Sequence, residues 1–211
     1  MHPQIQFGDK EKIDKVKSHS ENIGNKIRQG ESMEANTTIS IQWERLYKYY
    51  QQKDLLNKVC QSTIKEKIAE FESSFEINFP QDFRESFLIC DERYILKTNE
   101  KKGWLGENEL YSFSSNKYDW YNIFEVNKQI FSFANDIGWN KKWIQFYDYE
   151  TWYSAVLDTE TGKVYCYENE TGINVLWANS FTEWFKMAVD EVIQYGELRI
   201  ETMENLLGLE E

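Results

Sequence analysis

Histidine is nearly missing from this chain: there are 2 in 211 residues, His2 and His19, both close to the start. Everything after His19 therefore lacks Ser-His-Asp and Cys-His triads, histidine metal sites and histidine acid–base pairs. No GxGxxG or GxxxxGK(S/T) run is present to cradle a phosphate, and no DxDxDG loop to cage calcium. The expectation is a protein with no cofactor and no metal. With only 2 Pro and 10 Gly, a long flexible linker is not expected. No apolar run of about 18 residues spans a membrane. The start, Met1 to Lys10, has neither a basic n-region nor an apolar h-region. The three cysteines, Cys60, Cys90 and Cys166, are far apart and form no CxxC pair. They are expected to be buried thiols in a reducing compartment. These absences together point to a soluble cytoplasmic protein.

Aromatic residues, by contrast, are plentiful: 8 Trp, 13 Tyr and 13 Phe, 16% of the chain. That is enough apolar surface for a good-sized core. The formal net charge is −12 and is placed unevenly. Residues 143–211 hold 14 of the 36 acidic residues but only 3 of the 24 basic ones. Such a field repels nucleic acid and anionic membranes, since both are bound through Lys and Arg. It attracts a basic protein and speeds the encounter by roughly 10- to 1000-fold at low salt. Acidity also simply keeps a protein soluble, and charge alone does not separate these readings.

Residues 1–36 are polar, with Phe7 their only aromatic. Ile13, Val16, Ser20, Ile23 and Ile27 give one weak amphipathic helix, weakened further by Gly24. This segment reads as an extension, and residues 37–211 as a single domain. Trp43, Leu46, Tyr47 and Tyr50 start a helix. Thr63 and Glu66 form a capping box for a second, whose apolar stripe is Ile64, Ile68, Phe71 and Phe75. Pro80 suits the first turn of a third helix, which buries Phe83, Phe87 and Leu88. Residues 91–142 are less regular. Tyr94 to Leu96 and Leu110 to Phe113 read as short strands, and Gly103 to Gly106 as a turn or bulge. Ile123, Val126, Ile130 and Phe131 read as a short helix or an irregular loop.

Beyond residue 142 the pattern is clearer. Trp143 to Tyr147, Trp152 to Leu157, Val164 to Tyr167 and Ile173 to Trp177 read as strands. Two Thr-Gly turns lie ten residues apart, as a meander requires. One sheet face joins the core; the other, rich in tyrosine and acids, is expected to stay wet. A last helix opens on the capping box Ser180 and Glu183 and stops at Gly196. A short acidic helix or tail follows from Leu198 to Leu207. The fold class is α+β: N-terminal helices, a central antiparallel sheet with a meander, and a C-terminal helix packed on it.

The acids and the tryptophans need weighing. Asp119, Asp148, Glu150 and Asp158 lie near aromatics, as in a sugar site. With 36 acidic residues some such pair is inevitable, so solvated, turn or cap roles compete with catalysis. Trp43, Trp143 and Trp184 sit on apolar faces and read as core. Trp104, Trp120 and Trp152 sit in loops or at strand starts and are the better interface anchors.

These segments, taken in order from Trp43 to Val192, resemble the SUKH superfamily. Trp43-Glu44-Arg45-Leu46 is similar to its first helix. Phe79-Pro80-Gln81-Asp82-Phe83-Arg84-Glu85-Ser86-Phe87-Leu88 resembles its Pro-x-Asp-aromatic turn and following helix. Trp139 with Trp143-Ile144 resembles the paired tryptophans before a strand. Leu157-Asp158 with Gly162-Lys163-Val164 resembles a strand–turn–strand, and Ser180 to Phe185 the last helix. The chain departs from the family where Glu92-Arg93 follows Asp91, and where Tyr149-Glu150-Thr151-Trp152 replaces a small Gly-rich turn.

The superfamily groups a fungal cell-wall-assembly regulator with many bacterial toxin-immunity proteins. The resemblance implies a non-enzymatic cytosolic binder that neutralises a cognate toxin protein, basic and nuclease-like. The partner-binding residues expected are Asp148, Tyr149, Glu150 and Trp152, with Asp91 and Glu92 from a facing loop. The acids would pair with Lys and Arg, and Tyr149 and Trp152 would be packing anchors. A regulatory scaffold for cell-wall or signalling proteins, docking through residues 1–36, is the alternative. A carboxylate-dependent enzyme is a third.

Overall fold

Trp43, Leu46 and Tyr50 recur at the three-to-four-residue period that puts side chains on one side of a helix, and all three are buried. A computed structural model of the chain describes residues 38–56, 64–91, 103–106, 109–113, 122–137, 139–149 and 152–207. The expected extension 1–36 lies outside these residues. So do Thr63 of the first capping box, the Tyr94 to Leu96 strand, Glu92, Asp119, Trp120 and Glu150. The described residues fall in one compact unit, 38–211.

Among them the order is α1 (Ile39–Gln52), α2 (Lys65–Phe75), α3 (Gln81–Ile89), β1 (Glu109–Leu110), α4 (Ile123–Ile137), β2 (Trp143–Tyr149), β3 (Tyr153–Asp158), β4 (Val164–Glu168), β5 (Asn174–Ala178), α5 (Phe181–Tyr195) and α6 (Ile200–Leu207). The sheet runs β1-β2-β3-β4-β5, every neighbour antiparallel. This is the expected α+β layout; the strand expected over Leu110 to Phe113 is reduced to the two-residue edge β1, Glu109–Leu110.

The two meander turns are built alike. The Asp158 carboxylate accepts the N–H groups of Glu160 and Thr161. The Glu168 carboxylate accepts those of Glu170 and Thr171, and the Thr171 hydroxyl. Each turn then needs a left-handed residue, supplied by Gly162 at φ +74° and Gly172 at φ +73°; a side chain there is strained. The acid satisfies the turn's amides and the glycine reverses the chain, so strand register is set locally.

One sheet face carries the main core. Phe83 meets Phe146 at 5.4 Å and Phe181 at 4.9 Å, both edge-on, and Phe146 meets Trp184 at 4.8 Å. Each such ring contributes about 1.5–3 kcal/mol by leaving water. Trp43 of α1 packs on Phe185 of α5 at 4.9 Å and donates its indole N–H to the Ser86 hydroxyl of α3. Asp82 locks the N-termini of α3 and α5 together. Its carboxylate accepts both the backbone N–H and the hydroxyl of Thr182, at 2.8 and 2.9 Å. Ser180 caps α5 by accepting the Glu183 N–H at 3.1 Å, and Gly196 ends it in the left-handed region. The Glu183 carboxylate reaches the Asn179 N–H.

The other face corrects an expectation. Over β2 and β3 it is not wet: Ala134, Trp139 and Val156 form a second buried cluster, with Ile130, Phe131 and Trp143 packed against it. The covering element is α4, a 15-residue helix where a short helix or loop was expected. Asn122 starts it by accepting the Phe124 and Glu125 N–H groups. Asn127 fixes it to the sheet: its amide accepts the Gln145 N–H at 2.9 Å and donates to Gln145 O at 2.8 Å. Those are the backbone groups beside a bulge between Gln145 and Tyr147 in the β2–β3 ladder. The cluster reaches β4, where Tyr167 meets Trp139 at 5.1 Å and Tyr165 stacks on Trp143 at 5.4 Å; Leu176 of β5 is exposed.

Two further expectations change. Trp104 is 3% exposed, not an interface anchor. Its ring meets Trp43, Tyr47 and Tyr50, and its carbonyl accepts the Tyr50 hydroxyl. Cys166 is a buried free thiol, but Cys90 is disulfide-bonded, so it is not a thiol as expected.

Candidate functional site

Strands alternate direction, so the β2–β3 and β4–β5 turns emerge at the same end of the sheet. The backbone ties them: the Asn169 N–H donates to Trp152 O at 2.9 Å. At this end Trp152 and Ile173 are each 50% exposed. Single exposed apolar residues are ordinary on a protein surface; these two stand one on each of two turns at the same end of the sheet.

Around this patch the groups are anionic. Asp148 sits opposite Ser154 in the β2–β3 ladder. The Ser154 hydroxyl has one proton and two acceptors, Asn169 at 3.0 Å and Asp148 at 3.4 Å; the nearer contact is the stronger. Glu170 is exposed at the tip of the β4–β5 turn. Glu168 lies just below, its carboxyl held under its ordinary pKa by the Thr171 hydroxyl and then by the turn amides. The tyrosines of β2 and β3 are raised first by burial. Tyr153 is raised by burial, then by Glu204 and Glu168. Tyr147, buried in the core, is raised by burial first and then by Tyr149 and Asp148. The end of the sheet is thus a place where anionic charge and exposed apolar surface coincide.

The residues expected in the site separate as follows. Asp148, Tyr149 and Trp152 come together here: Asp148 is half-buried, Tyr149 is half-buried against the core, and Trp152 projects. The Tyr149 carbonyl accepts the Trp152 N–H at 3.0 Å. Glu92 and Glu150 lie outside the described residues. Asp91 is 3% exposed, with its carboxylate on the Phe113 N–H at 2.7 Å and its carbonyl on the Ser112 hydroxyl. It braces the chain that follows β1 and presents no surface to a partner. Ile173, Glu170 and Leu176 were not among the expected residues. Their signal lies in the sequence: Glu170 and Ile173 flank the Thr171-Gly172 turn, and alternation along β5 puts Leu176 on the side opposite Val175.

Among the described residues, no group of three or more His, Cys, Asp and Glu is placed to hold a metal ion. No helix among them is long and apolar enough to cross a membrane. The model of the SMI1 / KNR4 family (SUKH-1) matches residues 64–187, from the start of α2 into the middle of α5. No curated protein matches the chain.

Proposed function

This chain belongs to the SMI1 / KNR4 family (SUKH-1), and on that premise we propose that it is an immunity protein: it binds and blocks a cognate basic toxin domain, without catalysis of its own. The observation that carries this reading is the coincidence at the β2–β3 and β4–β5 turns. Trp152 and Ile173 stand half-exposed there, in the segment 143–211 that holds 14 acidic against 3 basic residues. An anionic surface steers a cationic partner in, and aromatic and aliphatic anchors hold it by burial. A toxin that acts on nucleic acid needs a basic groove. An acidic protein seated in that groove competes with the phosphate backbone for the same Lys and Arg.

In this reading Asp148, Glu150 and Glu170 pair with the partner's cations, and Trp152, Ile173 and Tyr149 supply the packing. Purification of the tagged chain from its native cells, followed by mass spectrometry, tests it. The expected result is one stoichiometric basic partner with a toxin domain, whose activity the purified chain suppresses. Recovery of several wall-synthesis or signalling proteins, and no toxin, refutes it in favour of a regulatory scaffold.

A further inference from the structure

Cys90 stands at the end of α3, 3% exposed, with its backbone fixed on both sides. Its N–H donates to Ser86 O at 2.9 Å, and the Ser86 hydroxyl accepts the Trp43 indole. The next residue, Asp91, accepts the Phe113 N–H and the Ser112 hydroxyl. The Cys90 sulfur therefore leaves from a point held by α1, by α3 and by the chain after β1. That sulfur is in a disulfide. The chain has 3 cysteines, and Cys166 is a free thiol. Elimination leaves Cys60, which lies outside the described residues, as the partner.

In the sequence Cys60 falls between α1 and α2, four residues before Ile64. The start of α2 is its weakly tied end. The first N–H groups of a helix have no intrahelical acceptor, and here the cap position is Ile64, with no side chain accepting from the first turn. Isoleucine is among the poorest caps. Burial of Ile64 and Ile68 and one bond from the Lys67 ammonium to Phe113 O hold this end. The far end is tied several times over. Glu76 closes the helix in the left-handed region, and its carbonyl accepts the Lys142 ammonium. The Glu72 carboxylate takes the Phe79 N–H and the Arg84 guanidinium. A bond from Cys60 to Cys90 supplies what the start of α2 lacks, a covalent tie to the clamped end of α3. It closes a loop of about 30 residues, and the chain entropy this removes from the unfolded state favours the folded one.

We infer that Cys60 and Cys90 form a disulfide that acts as a redox-operated clip on α2, holding its start when closed and releasing it when open. Closing forms one S–S bond from two thiols. The two electrons and two protons pass to a small-molecule disulfide such as oxidised glutathione, which is split into two thiols. Excess glutathione thiol drives the same exchange in reverse. Disulfides inside cells are mostly of this transient, sensing kind. Cys166 takes no part: it is fully buried on β4, and burial pushes its thiol up to about 12, so almost no thiolate is present to attack. The clip works on the helical layer and acts whatever the chain binds.

The test equilibrates the full chain in two glutathione buffers, one oxidised and one reduced, then alkylates it in urea and maps the peptides by mass spectrometry. The expected result is Cys60 linked to Cys90 in the oxidised chain, with Cys166 alone alkylated, and all three cysteines alkylated in the reduced chain. On reduction, amide hydrogen exchange at Ile68 to Phe71 of α2 should speed up about tenfold more than at Ala188 to Val192 of α5, because the clip acts on α2 locally. Tm should fall by about 5–15 °C. Cys60→Ser in the oxidised buffer should exchange like the reduced wild type, and Cys166→Ala should keep the link and its protection. Three alkylated cysteines in the oxidised chain, a link that includes Cys166, or a disulfide to a second copy overturns the pairing. A Cys60–Cys90 link whose reduction changes α2 no more than α5 overturns the clip.

Discussion

Asp82 is the residue through which the helical layer of this fold is most sharply tested. It belongs to α3, yet its carboxylate serves α5: one oxygen accepts the Thr182 N–H at 2.8 Å and the Thr182 hydroxyl at 2.9 Å. The other oxygen accepts its own helix's Phe83 N–H at 2.9 Å. Thr182 is near the start of α5, where N–H groups have no intrahelical acceptor and negative charge is favoured by the helix dipole. A hydrogen bond to a charged group is worth about 1.5–3 kcal/mol, less where water competes, and the site is partly buried. Asp82→Ala is therefore expected to cost about 2–4 kcal/mol. Asp82→Asn, which keeps one acceptor and loses the charge, is expected to cost about 1–2 kcal/mol. For a domain of this size each kcal/mol lowers Tm by about 2–4 °C. Urea and thermal unfolding followed by circular dichroism read both values. Thr182→Val, which loses only the hydroxyl bond, should be milder, and the double variant should cost less than the two singles added. A loss under about 0.5 kcal/mol for Asp82→Ala, the level of an ordinary surface substitution, refutes the claim that this acid joins the two helices.

Further outcomes follow from the same geometry. Asn127→Leu leaves the Gln145 N–H and C=O without their α4 partner. It is expected to cost about 1–3 kcal/mol in urea unfolding, through two part-buried groups left unsatisfied. Glu168 is held below its ordinary pKa by Thr171 first, so its contribution is full above the ordinary carboxylate range and is lost as pH falls through its lowered value. Thr171→Val should be destabilising at pH 7, with a gap from wild type that closes on acidification; a gap unchanged by pH contradicts this. Burial pushes the Cys166 thiol up to about 12. Alkylation mapped by mass spectrometry at pH 8 should spare it in the native protein and modify it once urea unfolds the chain.

The parts of this structure legible in the sequence are those decided by neighbours along the chain. Ser180 and Gly196 bound α5 because caps and left-handed stops act within a few residues. Gly162 and Gly172 mark the meander turns for the same reason. The Pro80-Gln81-Asp82-Phe83 motif marked a helix start, but not that Asp82 would reach 100 residues ahead to Thr182. Distance along the chain is what hid the rest. Asp91 reads as a surface acid until Phe113, 22 residues on, donates to it. Trp104 reads as a loop aromatic until α1 closes over it. The residues of α4 read as an uncertain helix because what fixes them is Asn127 on the backbone of β2. The exposure of Trp152 is legible because a tryptophan in a turn has little to pack against. Ile173, one residue past the neighbouring turn, carries the same signal, hidden by its place just before β5.

The measurement closest to the central claim is the association rate of the basic partner with this chain as a function of ionic strength, by stopped-flow tryptophan fluorescence. The account predicts a rate that falls steeply with salt. Asp148→Lys and Glu170→Lys should slow association and flatten that dependence, and Trp152→Ala, followed by partner fluorescence, should mainly speed dissociation. A rate indifferent to salt and to both charge reversals, with affinity unchanged in Trp152→Ala, would contradict it.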